Sequence, residues 1–166
     1  MALTKLLELL ERLDDTHLQM LDLAAVKKQT IMDNRVDGLI DVMNRESKLM
    51  KLIGQLEEQR AEAAYTFLQG VGIRSNLNLN LTELSRLVFD PEEKSRLQQI
   101  QQKLSNTLLR LKKANELNQK LIEQSLTFID YSLDLLVGRP NQEFTYHHPA
   151  DKGYNSSRSG LFDARG

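Results

Sequence analysis

Apolar residues recur through residues 3–31 at alternating three- and four-residue steps. Leu3, Leu6, Leu10 and Leu13 are followed by His17, Met20 and Ala24, and after an interruption at Lys27 by Ile31. This heptad-like stripe predicts a helix packed against others. The first break comes at Asp33-Asn34-Arg35, where Asp33 or Asn34 is placed to cap a second helix. The second helix should run to about Leu68 and stop at Gly70. Its stripe uses Leu39, Val42 or Met43, Leu49 or Met50, Ile53, Leu56, Ala63 and Phe67, with Glu46 and Arg60 falling on the seam.

Residues 73–80 are rich in Asn and Ser, which bond their own backbone and favour a connection. Asn80 with Glu83 has the spacing of a capping box and opens a short helix to about Val88. Asp90-Pro91-Glu92-Glu93 is the strongest local start signal in the chain. Asp90 can accept from free amides, Pro91 loses nothing by lacking an N–H, and the glutamates suit the positive helix end. No Pro or Gly follows until Gly138, so one helix of roughly 70 Å is predicted. Such a length implies an elongated antiparallel bundle or coiled coil.

The expected fold is therefore all-α: an elongated antiparallel helical bundle or coiled coil of three long helices plus a short one. Residues 1–137 would form the body. Residues 138–166 hold Gly138, Pro140 and a Ser-Ser-Arg-Ser run, with too little apolar content for a core, and predict a disordered, flexible C-terminal tail.

Composition narrows the function. Lys+Arg number 22 and Asp+Glu 23, so the basic excess of a dedicated nucleic-acid protein is missing. There is no Cys, which removes disulfides and thiolate metal sites. No apolar run is long enough for a secretory leader or a membrane span, so neither export by a leader nor membrane insertion is expected, and a cytoplasmic location is read. The scarcity of aromatics beside abundant Leu, Gln, Asn, Glu and Lys is typical of long amphipathic helices.

Catalytic chemistry finds no support, and no cofactor is called for. His17 lies on the apolar seam of the first helix, where a packed imidazole is expected. His147 and His148 are adjacent and cannot by themselves supply the three or four ligands a metal needs. No phosphate loop or nucleophile motif is present. Asp14-Asp15 and Glu57-Glu58 read as solvated faces. Lys103, Arg110, Lys112, Lys113 and Lys120 make the middle of the long helix basic, yet no aromatic residues interleave for base stacking.

The end of the long helix carries more information. Ile122, Leu126, Ile129, Leu133 and Leu136 form one stripe, and Leu121, Phe128 and Leu135 form a second beside it. Either the first two helices cover this broad face, or part of it is a strip for another protein's helix. Both hold if one stripe serves the core and the other a client. Further on, Phe144-Thr145-Tyr146 and Leu161-Phe162 are apolar islands of the kind that dock a partner.

Three features together resemble the FlgN family of flagellar export chaperones. The first is a leucine-rich amino-terminal helix followed by Val36-Asp37-Gly38-Leu39, Leu49, Ile53 and the run Leu56 to Arg60. The second is the long helix with Asn115-Glu116-Leu117-Asn118 through Gln124 and Ser132 to Leu136. The third is an aromatic segment reaching Tyr146, followed by Ala150-Asp151-Lys152-Gly153. The resemblance covers nearly the whole chain.

It implies a non-enzymatic chaperone for the carboxy-terminal helical regions of the two hook–filament junction (hook-associated) proteins. Such a protein prevents their premature assembly and delivers them to the type III export gate. By the same resemblance, the carboxy-terminal part of the long helix is the client side. Tyr146 is the candidate that docks on the cytoplasmic domain of the export-gate protein FlhA, with Tyr154 as the alternative. The rival reading is a structural or adaptor coiled-coil protein without an export role, whose apolar face pairs with a second copy to make a homodimer.

Overall fold

The computed structural model describes residues 2–73 and 79–138. Four helices follow in order: α1 (Ala2–Met32), α2 (Val36–Gly70), α3 (Leu81–Arg86) and α4 (Pro91–Val137). Among the described residues there is no strand, and the fold is all-α.

Local chemistry sets most of the boundaries. Asn80 caps α3 through a full capping box: its Oδ1 accepts from Glu83 N at 2.8 Å, and Glu83 Oε2 accepts from Asn80 N at 3.0 Å. Asp90 Oδ1 sits 3.4 Å from Glu92 N just ahead of Pro91, as the start signal required. The start of α2 differs from the sequence expectation. Neither Asp33 nor Asn34 caps it; the residue at that place is Arg35, without a side-chain cap bond. Asn34 instead takes a left-handed φ of 53°, which Asn tolerates well, and reverses the chain. Arg35 N then donates to Thr30 O at 2.9 Å, closing the corner with backbone alone.

The chain divides into two compact units, Met1–Ile122 and Glu123–Gly166, with the division inside α4. In the first unit α2 runs antiparallel to α1: Lys27 pairs with Glu46 at 3.3 Å, while Gly38, earlier in α2, packs beside Thr30, later in α1. The first part of α4 runs parallel to α1, since Asp14 meets Thr107 and Ala24 meets Asn118. The result is an up-down-up bundle. Its main core joins Leu3, Leu6, Leu10 and Leu13 of α1 to Leu56, Ala63 and Leu68 of α2, Leu84 of α3, and Leu97, Ile100 and Leu104 of α4. Met20, Ala24 and Leu111 continue it as a smaller cluster. Each fully buried leucine removes enough apolar surface to contribute roughly 1.5–3 kcal/mol.

The seam positions that looked imperfect are resolved by pairing. Lys27 and Glu46, which interrupt two different stripes, are half-buried and bonded to each other. Arg60 Nε donates to Glu57 Oε2 at 2.8 Å on its own helix. Where the α2 stripe offered alternatives, Val42 is buried rather than Met43, and Leu49 is more covered than Met50.

Asp14 corrects the expectation of a solvated carboxylate. It is fully buried, whereas Asp15 is exposed. Its Oδ1 accepts from Thr107 Oγ1 at 2.7 Å, and among the described residues its Oδ2 has only the Lys103 ammonium, 3.5 Å away, at ion-pair distance without hydrogen-bond geometry. A buried charge persists only when paired in this way. The described part of the second unit is the end of α4, which closes at Gly138 with a φ of 77° and a bond from its N–H to Asp134 O.

Candidate functional site

The final turns of α4 combine high apolar content with open surface. Leu126 is 54% exposed, Ile129 51%, Leu133 51% and Leu136 85%. Ile122, the last residue of the first unit, is half-buried, as is Leu121. Of the second stripe, Phe128 and Leu135 are exposed. At 3.6 residues per turn the two stripes lie side by side, with the small Ser125 and Ser132 between them. The face is therefore broad, shallow and apolar. Tyr131 and Val137, which the stripe pattern did not single out, are also exposed here and enlarge the apolar surface of the helix end.

The electrostatics of this stretch differ from the rest of the helix. Residues 121–137 carry Glu123, Asp130 and Asp134 and no Lys or Arg. Helical spacing puts the three carboxylates on one flank of the Leu126–Leu133 stripe. The basic residues Lys103, Arg110, Lys112, Lys113 and Lys120 lie earlier in α4, all exposed. An open depression lined by Gln99, Gln102, Lys103, Ser105, Asn106 and Leu109 lies beside the first of them, and residues 91–120 hold no aromatic side chain on which a base could stack. An apolar face with one acidic flank can hold an amphipathic helix by packing, and it contains no nucleophile or base set for chemistry.

The other candidates are placed as follows. His17 is half-buried, with Nδ1 2.7 Å from the carbonyl oxygen of Leu13, so that nitrogen donates into its own helix. Among the described residues no group of three His, Asp or Glu side chains is arranged to hold a metal ion. No described helix is long and apolar enough to cross a membrane. Tyr146, Tyr154, His147, His148 and Leu161-Phe162 lie outside the described residues.

Comparison with known proteins supplies the context for this face. The family model described as FlgN protein matches residues 1–152. The chain is also 30% identical over 166 residues to the uncharacterized protein YvyG of Bacillus subtilis (strain 168), covering 99% of each. No solved structure matches the chain. The family match takes in all four helices, the exposed end of α4 included, and the chain belongs to the FlgN family of non-enzymatic flagellar export chaperones.

Proposed function

We propose that this protein is a cytoplasmic export chaperone that holds the carboxy-terminal helical regions of hook–filament junction proteins on the exposed face at the end of α4. The reading rests on one observation above others: Leu126, Ile129, Leu133 and Leu136 are at least half exposed on a helix whose earlier seam is buried. Surface leucines in a contiguous stripe are costly to leave in water, and their usual use is partner binding. Junction-protein ends are polymerising helices, so covering their apolar surface prevents premature assembly. The acidic flank of Glu123, Asp130 and Asp134 suits a client helix with Lys or Arg beside its apolar stripe.

In this proposal residues 1–137 are the chaperone body and residues 138–166 address the export gate. Tyr146 docks on the cytoplasmic domain of FlhA, and the junction protein is delivered there while still bound. Joining two contacts in one chain raises the effective concentration of the second without any new surface.

The test is a binding measurement with purified junction-protein carboxy-terminal fragments. Leu126→Asp combined with Leu133→Asp should abolish client binding and leave the circular dichroism spectrum unchanged. Retained affinity in that variant sinks the proposed site. Tyr146→Ala should weaken capture by the FlhA cytoplasmic domain and spare the client; loss of both bindings, or of neither, rejects the division of labour.

A further inference from the structure

Helix α2 has two apolar faces, and among the described residues of its own chain only one is covered. Leu39, Val42, Leu49, Ile53 and Leu56 turn toward the core and are buried or half-buried. Val36 (65% exposed), Ile40 (53%), Met43 (49%) and Met50 (63%) lie on another side. With the exposed Ser47 and Gly54 they recur at steps of four, three, four, three and four residues. That is the spacing of a coiled-coil seam, sustained over roughly 27 Å of helix.

We infer that this stripe is a homodimer seam, on which α2 of a second copy packs antiparallel. The charges beside the stripe select that occupant and that direction. Asp37, Asn44 and Lys51 are all exposed, and each directly follows a stripe residue. In an antiparallel pair about a dyad at Asn44, each Asp37 faces Lys51 of the second copy, and the two Asn44 side chains face each other. A parallel pair brings the two Asp37 ends together and the two Lys51 ends together. Opposite charges at such flanking positions favour a pairing and like charges disfavour it. Asp41 and Lys48, one row further out, repeat the same acidic-to-basic gradient, with Asp41 partly engaged by Arg45 at 3.0 Å.

The layers of the seam fit the same arrangement. Val36 meets Gly54 of the second copy, Ile40 meets Met50, and Met43 meets Ser47, each layer occurring twice. A Cβ at Gly54 would touch none of the described residues within 4 Å, so their packing does not require glycine there. Opposite a valine of the second copy, the missing side chain lets the helices approach. Ser47 Oγ already donates to Met43 O at 3.0 Å, which lowers the cost of covering that hydroxyl. On the other flank the dyad brings Glu46 toward its own counterpart, and Lys27 at 3.3 Å offsets that charge in each copy. The seam shares no residue with the α4 stripe.

Sedimentation velocity of the full chain over a concentration series tests the inference. The wild type should pass from monomer to dimer as concentration rises. Met43→Asp should be monomeric with unchanged helix content. Asp37→Lys and Lys51→Glu should each weaken dimerisation by about tenfold, and the chain carrying both should recover the wild-type constant. A parallel pair is indifferent to either single charge change, so loss followed by recovery is specific to the antiparallel seam. A wild type that stays monomeric overturns the proposal. So does a dimer untouched by Met43→Asp, or a double charge variant no better than the single ones.

Discussion

The first and last parts of α4 both carry apolar stripes at helical spacing and end in different environments. From Leu97 through Ile100, Leu104, Thr107 and Leu111 to Asn118 the helix buries one regular seam against the rest of the bundle. From Glu123 to Gly138, the described residues of the second unit, none is buried, although this stretch is the richer in large apolar side chains. Apolar density therefore does not measure core membership. A helix face is core only where the chain supplies something to cover it, and an uncovered apolar face is free for a partner. Truncation contrasts the two parts most strongly. Leu97→Ala empties a fully buried site and should cost about 2–5 kcal/mol in urea unfolding. Leu133→Ala, at a half-exposed site, should cost less than about 1 kcal/mol. Equal losses at the two positions would erase the distinction.

A polar contact sharpens the comparison at intermediate strength. Among the described residues the Thr107 hydroxyl is the one hydrogen-bond donor to the buried Asp14 carboxylate, since the Lys103 ammonium stands further off. Thr107→Val keeps the volume and removes the donor, so the expected loss is about 1–3 kcal/mol, the penalty of a buried acceptor left unsatisfied. Replacing both partners, as Asp14→Leu with Thr107→Val, should recover most of that loss, because no orphaned charge remains. If the double variant is as unstable as the single one, the carboxylate contributes through Lys103 or through shape instead.

Much of this organisation is legible in the sequence, and the boundary of legibility is physical. Signals that act within one turn are readable: the Asn80–Glu83 box and the Asp90-Pro91 start are both present at the expected residues. The alternation of leucines in α1 likewise marks its buried face. What depends on register between helices is not readable. Lys27 and Glu46 look like two separate defects until α1 and α2 are set side by side, and Asp14 looks solvated until Thr107 is brought to it from 93 residues away. Asp33 and Asn34 mislead for a related reason: the corner needs a left-handed residue and a backbone bond to Thr30, and those outrank a side-chain cap. At the α4 site, periodicity finds the stripe but cannot say what covers it. The outer stripe of α2 escapes for the same reason, since Met43 and Met50 fit a core seam as well as Val42 and Leu49 do.

The smallest expected effect is the most exacting check on the difference between the two parts of α4. Leu135→Gln replaces a large apolar side chain, 66% exposed, with a polar one of nearly equal helix propensity. If water already surrounds this side chain, neither burial nor backbone preference changes, and unfolding free energy should stay within about 0.5 kcal/mol of wild type. The same substitution removes part of the broad face beside Ser132, so it should weaken client capture while stability holds. A stability loss of more than about 1 kcal/mol would mean that Leu135 is packed against some other part of the molecule. The end of α4 would then be core like its beginning, and the leucines at its tip would need no partner to explain them.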